Sequence, residues 1–192
     1  MKQPLIIGIA GGAGSGKTTL SRYLEERAQP FRVQVITMDR YYKKERPQAA
    51  APFHGNPFED FNRPDALDIH RIMEDVRNEI ACGQADLLII EGFLLFHFTE
   101  LLDLADLKIY VDCPPEERLL RRIPSFTKWG IAEEDVSAYT SFVAYRHAQY
   151  VEPTKWHADM VVNGLCTLKG GEVVLEWIRT RLLRQEENRD RG

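Results

Sequence analysis

The sequence predicts a three-layer α/β fold, with a parallel sheet, helices on both faces and a small lid. Three observations predict it. Short apolar runs alternate along the chain with stretches of helical periodicity, the pattern of a parallel sheet with crossover helices. The runs at 5–10 and 87–90 are apolar at nearly successive positions, as strands covered on both faces must be. A glycine-rich turn joins the first run to the first helix. A length of 192 residues with 44% hydrophobic side chains suits one domain that buries enough surface to fold without disulfides or a structural metal.

The elements follow in order. Leu5 to Ala10 is apolar except for Gly8 and reads as a strand. Residues 17–28 read as a helix with Leu20, Tyr23, Leu24 and Arg27 on one face, ended by Gln29-Pro30. A strand spans 33–37. The spacing of Leu67, Ile69, Ile72, Met73, Val76 and Ile80 predicts a helix over 65–82, stopped by Gly83. Strands at 87–90 and 107–111, helices at 116–123 and 132–149, a short strand at 160–162 and an amphipathic helix at 173–183 complete the pattern. Residues 41–64 break it, with four prolines and five aromatics in no clean period. Loops this long are usually functional or disordered, and the aromatics favour a substrate-covering loop. The layout is then one domain over 1–184, with a substrate loop at about 41–64 and a lid at about 116–130. A charged tail at 185–192 is expected to fray.

Composition excludes several classes. The chain has 25 basic against 29 acidic side chains, a net charge of −4 and a pI near 5.8, which disfavours a nucleic-acid or polybasic membrane binder. No apolar run reaches membrane-spanning length, and the opening residues lead straight into glycines without a cleavage pattern, so they read as a strand rather than a leader. Cys82, Cys113 and Cys166 are few, odd in number and far apart, which points to buried structural thiols in a reducing cytoplasmic setting. The scattered histidines show no zinc spacing.

The chemistry starts at Gly11-Gly12-Ala13-Gly14-Ser15-Gly16-Lys17-Thr18, followed by Thr19, which fits G-x-x-x-x-G-K-[ST] between a strand and a helix. Glycines let consecutive N–H groups turn inward around an anion, and the helix adds the positive end of its dipole. Lys17 is placed to reach the β- and γ-phosphates of ATP and Thr18 to ligate Mg²⁺. A helix over 17–28 travels about 18 Å away, and the strand 33–37 returns about 17 Å. Asp39 therefore lies at the same sheet edge, where a carboxylate can take the proton of an attacking hydroxyl. Glu91 follows four apolar residues and precedes Gly92, the Walker B arrangement of an acid serving Mg²⁺. Arg118, Arg121 and Arg122 share a helical segment at i,i+3 and i,i+4 spacing, and such lid arginines meet the charge of a transferring phosphoryl group. Each also has a plain reading as part of a solvated helix face.

The ordered set GIAGGAGSGKTTL, MDRYYK, FNRPDALD, LLIIEGFLLF, IYVDCPPEERLLRRI and YVEPTKWHADMVV resembles the uridine kinase and nicotinamide riboside kinase family over roughly residues 5–165. The resemblance implies a P-loop NTPase fold and transfer of the ATP γ-phosphate to the 5′-hydroxyl of a ribonucleoside. It implies Asp39 as base, Thr18 and Glu91 as Mg²⁺ residues, Arg122 as a lid arginine and Phe61 beside the nucleoside. Tyr42, Asn62 and Arg118 complete the expected acceptor contacts. Asn62 stands where the family usually has an acid that grips the ribose hydroxyls. Ser125 and Phe126 replace an Arg-Asp pair of the uridine kinase lid. Residues 83–86 leave no room there for the pyrimidine-reading hairpin. That omission and IIEGFLLF lean toward nicotinamide riboside kinases, and VEPTKWHAD leans toward uridine kinases. Two alternatives stay open: a kinase for a phosphosugar or pantothenate-like alcohol, and a nucleotide-dependent regulatory module. The expected partner is a small-molecule acceptor, with no nucleic acid or membrane, and a homo-oligomer is an open possibility.

Overall fold

Side chains of the first strand divide by the period of two and set the layers. In the computed structural model, which describes residues 3–50, 57–126, 128, 131 and 133–190, the strands are β1 (Leu5–Ala10), β2 (Val33–Thr37), β3 (Gln48–Ala50), β4 (Pro57–Glu59), β5 (Leu87–Glu91), β6 (Leu107–Asp112) and β7 (Met160–Asn163). The helices are α1 (Lys17–Arg27), α2 (Ile69–Cys82), α3 (Thr99–Leu102), α4 (Pro115–Phe126), α5 (Val136–Tyr150) and α6 (Thr167–Asp190). Leu5, Ile7 and Ile9 of β1 pack with Leu20 and Leu24 of α1 and Val174 and Ile178 of α6. Ile6 and Ala10 pack on the opposite face with Ile72 and Val76 of α2 and with Leu94 to Phe96. Gly8 lies between them, where a Cβ would be 3.1 Å from the Phe96 ring.

The main sheet is parallel with order β2-β5-β1-β6-β7. Strand β5 therefore inserts between β1 and β2, and the chain after β1 departs to one side while β6 and β7 build the other. Ligand crevices form at the carboxyl ends of strands where such a reversal occurs. Register brings the working residues level: Glu91 is opposite Ile9 of β1 and Thr37 of β2. The predicted three-layer P-loop architecture is thus observed.

Several boundaries move for local reasons. Helix α2 begins at Ile69 because Asp68 caps it, accepting a hydrogen bond from the Arg71 N–H at 3.2 Å, and residues 64–66 form a separate 3₁₀ turn. Gly83 ends it at φ 62°, a left-handed cap suited to glycine. Helix α4 runs through Pro124 to Phe126. The proline leaves one Leu120 carbonyl without its helical donor, and Leu120 is exposed, so water can serve it. The remainder of the expected flexible stretch, apart from Lys128, lies outside the described residues. The expected loop at 41–64 contains a short antiparallel ribbon, β3 against β4. Phe53 and the side chain of Phe58, two of the five aromatics of this loop, lie outside the described residues.

Helix α6 starts six residues earlier than its apolar spacing predicts, because Gly170 and Gly171 serve close packing. A Cβ at Gly170 would lie 2.5 Å from Val162, and one at Gly171 would lie 2.9 Å from Tyr23. The helix also continues to Asp190 through most of the tail expected to fray from 185, in keeping with the strong helix formers Arg, Gln and Glu in that stretch. Of the cysteines expected to be buried, Cys113 is, while Cys82 and Cys166 are exposed. Among the described residues, no helix is long and apolar enough to cross a membrane, and no cluster of three His, Cys, Asp or Glu side chains forms.

Candidate active site

The loop between β1 and α1 turns by three glycines at positive φ: Gly11 at 134°, Gly14 at 81° and Gly16 at 107°. Side-chain-bearing residues rarely adopt these angles. Ser15 is fully buried inside the loop, and its N–H bonds the Gly12 carbonyl at 3.0 Å. Lys17 opens α1, is 9% exposed, and its ammonium donates to the Gly12 carbonyl at 3.1 Å. Ala13 completes the loop, and Thr19 lies one residue beyond Thr18 on the donor side.

Burial drives the Lys17 pKa down from the ordinary lysine value, because a desolvated ammonium is disfavoured. Glu91 and Asp39 oppose that shift, while Arg118 and Arg122 add to it. Four charged groups singled out from the sequence therefore bear on the charge of one lysine. Glu91 is 3% exposed, and the Thr18 hydroxyl donates to its two carboxylate oxygens at 3.2 and 3.3 Å. Hard oxygen donors of this kind fit Mg²⁺, which takes one or two protein oxygens and completes its shell with phosphates and water. Thr18 and Glu91 are the residues that would hold it. Asp39 sits exposed in the 3₁₀ turn after β2.

The three arginines of α4 separate by function of position. Arg118 donates through Nε to the Cys113 carbonyl at 3.1 Å and lies 3.5 Å from His147 Nδ1. It covers Gly12, where a Cβ would collide with Arg118 Nη1 and lie 2.9 Å from His147 Cε1. Gly12→Ala is therefore expected to push the ends of the Arg118 and His147 side chains aside at little cost in stability, and to lower kcat/KM for the phosphate donor. Steady-state kinetics beside a thermal melt check this, and an unchanged kcat/KM would contradict the close approach. Arg121 donates to the carbonyls of Gly14 at 3.3 Å and Gly164 at 3.0 Å. Arg122 turns to the other side and donates to the Tyr139 hydroxyl at 3.1 Å.

Beyond Asp39 lies an aromatic wall. Tyr42 and Phe61 meet edge to face at 5.1 Å. Burial first, then the Asp39 carboxylate, push the Tyr42 phenol well above its usual range, with Arg122 opposing. The Arg46 guanidinium lies 4.6 Å over the Phe61 ring and pairs with Glu59 at 2.6 Å. Asn62 is half-buried in the next turn. Asp39 is thus near enough to act on Lys17 of the glycine loop and on Tyr42, which meets Phe61.

Sequence reasoning missed one wall. A cleft of about 600 Å³ beside the loop is lined by Gly14, Lys17, Thr19, Arg121 and the segment from Gly164 to Lys169. A Cβ at Gly164 would lie 2.5 Å from the Ser15 carbonyl, so this backbone must approach the loop closely. A glycine directly after the last apolar strand was the available signal.

A parallel sheet whose central strand feeds a glycine cradle, a buried lysine and a hydroxyl–carboxylate pair at one edge defines the class as a P-loop kinase. Residues 7–124 match the family model described as an AAA domain. The chain is 33% identical over 187 residues to a uridine kinase of Staphylococcus epidermidis, covering 84% of this chain and 88% of the relative. It is 31% identical over 185 residues to a uridine kinase of Bacillus subtilis, covering 84% and 86%. Among solved structures, TT1252 from Thermus thermophilus is similar with a TM-score of 0.60 at 22% identity, covering 94% and 99%. A shikimate kinase from Acinetobacter baumannii matches at 0.51 and 17% identity, covering 94% and 96%. Those two likenesses speak for the fold alone. The chain belongs to the uridine kinase family, and it is a phosphotransferase with an alcohol group as acceptor.

Proposed function

We propose that the enzyme transfers the γ-phosphate of ATP, with Mg²⁺, to the 5′-hydroxyl of a ribonucleoside such as uridine or nicotinamide riboside. The observation that carries this reading is the convergence on Lys17. Glu91 touches Thr18 while Asp39 acts on the same lysine from the acceptor side. In the proposed reaction, the loop from Gly11 to Gly16, with Lys17, Thr18 and Thr19, holds the donor phosphates in its N–H nest. Asp39 accepts the proton of the acceptor hydroxyl as its oxygen bonds to the γ-phosphorus. The bond to the β,γ-bridging oxygen breaks, and ADP leaves with that electron pair. Lys17 and Arg118 on the donor side and Arg122 on the acceptor side meet the charge spread over the γ-oxygens. Thr18 and Glu91 would hold Mg²⁺, which when bound would supply charge neutralisation on the donor phosphates. Tyr42, Phe61 and Asn62 orient the acceptor. Within this reading the layout of a substrate loop at 41–64 and a lid at 116–130 on one domain is retained.

One observation favours a second acceptor class. Arg46 already covers the exposed Phe61 ring, the face a planar base would occupy, and a non-aromatic alcohol would leave that stack in place. A coupled ADP-release screen over ribonucleosides, nicotinamide riboside, pantothenate and sugar phosphates decides between them. Stimulation by a ribonucleoside is the expected outcome. Stimulation by pantothenate or a sugar phosphate alone would move the acceptor out of the nucleosides, and no stimulation by any would leave a nucleotide-dependent regulatory module.

A further inference from the structure

We infer that the buried ion pair between Asp60 and Arg146 pins the acceptor wall to helix α5. That helix in turn carries the position of the wall to the phosphate loop, so both are positioning residues for the transfer. The significance for catalysis rests on the acceptor site proposed above; the mechanical link does not.

Asp60 follows β4 and is fully buried. Both of its carboxylate oxygens and its N–H are engaged, each by a different part of the molecule. Its Oδ2 accepts from Arg146 Nε at 2.8 Å, its Oδ1 accepts from the Asn62 N–H at 3.0 Å, and its own N–H donates to the Pro47 carbonyl at 2.8 Å. One residue thus ties the base of the β3–β4 ribbon through its N–H, and the turn carrying Phe61 and Asn62 and α5 through its carboxylate. Arg146 is held just as closely from its own side. Its Nη1 donates to Gln149 at 2.8 Å, and the rings of Phe142, Tyr145 and Tyr150 lie 5.1, 5.6 and 5.8 Å from its guanidinium.

Burying such a pair brings a desolvation cost comparable with the attraction, so it contributes little net stability over an apolar pair. What it does supply is a single geometry. Helix α5 has particular need of one. Val143 is the one buried side chain of its fifteen residues, and its other apolar anchors are the half-buried rings of Tyr139 against Phe126 and Tyr150 against His97. The residue next to Arg146 reaches the donor side. His147 Nδ1 lies 3.5 Å from Arg118, its Nε2 lies 3.0 Å from Glu152, and its ring stands where a Cβ on Gly12 would fall. Two successive side chains of one rigid helix therefore hold the acceptor wall and the covering of the phosphate loop, and neither can move far without the other.

The test uses Asp60→Asn, which keeps shape and the acceptor for the Asn62 N–H, with Arg146→Lys, Arg146→Met and the double variant Asp60→Asn/Arg146→Met. Hydrogen exchange reads the link without any acceptor. Asp60→Asn is expected to raise exchange in 57–62, in α5 and in 11–17 together; a rise confined to 57–62 would overturn the inference. Kinetics with ATP and uridine or nicotinamide riboside read its consequence. Acceptor KM is expected to rise tenfold or more with ATP KM within threefold, Arg146→Lys recovering part of the loss and the double variant no worse than the worse single one. Unchanged acceptor KM, an equal rise in both KM values, or additive losses would each refute the positioning role. Where Asp60→Asn does not fold, Arg146→Lys gives the same two readouts. A wild-type enzyme that accepts neither nucleoside sinks the proposed acceptor, and the exchange result still decides the pin.

Discussion

Lys17→Ala lowers kcat/KM for ATP by about 10³–10⁴-fold, on the order of 4–5 kcal/mol of transition-state stabilisation, while leaving the protein as stable as before or more so. The two halves of this expectation have one cause. The ammonium is buried against Gly12 between Glu91 and Asp39, and it gains its natural partner, the transferring phosphate, only when the donor is bound. Without that partner, its folded pKa is lowered below the unfolded value. The penalty that burial places on the charged lysine is thus present below its folded pKa and is relieved as pH rises from there toward the ordinary lysine value of 10.5. Alanine removes that penalty together with the catalytic charge. Turnover and a thermal melt at pH 7 check the pair. A variant that kept near-normal turnover would show that the glycine cradle does not hold the donor phosphates.

Asp39→Asn has a different signature. The residue is exposed on the turn after β2, so the amide is accommodated without a packing change. It cannot take a proton, and kcat is expected to fall by about 10²–10⁴-fold, the range of general-base contributions. Affinity for a non-hydrolysable ATP analogue, measured by calorimetry, is expected to stay within a few-fold, because the proposed donor contacts lie on Lys17, Thr18 and the loop N–H groups. Turnover near the wild-type level would remove Asp39 from the role of base. Comparable losses in analogue affinity and turnover would place it among the donor contacts instead.

Much of this site is legible along the chain because its parts are local. The glycine loop needs only eight consecutive residues, whose positive φ values follow from glycine itself. Glu91 is announced by the buried strand it terminates, and a simple count of rise per residue brings Asp39 back to the edge it occupies. Gly164 and Arg121 were harder to recognise. Their place in the cleft beside the glycine loop depends on which strand lies beside β1, and periodicity carries no information about strand order. The two glycines of α6 mislead for a related reason: their local helix penalty is visible in the sequence, whereas the contacts with Val162 and Tyr23 that require them are not.

The Asp60–Arg146 pair marks the boundary most clearly. Its partners are 86 residues apart, and nothing in the spacing of either segment singles them out from other acids and arginines of the chain. By itself, the sequence determined the succession of strands and helices, the anion cradle and the acids that end the strands, since each follows from backbone preference and apolar period over a few residues. Only the tertiary structure decided the strand order, the three directions taken by Arg118, Arg121 and Arg122, and the fastening of α5 to the acceptor wall. Those are long-range choices, made by burial and charge pairing once the layers have closed.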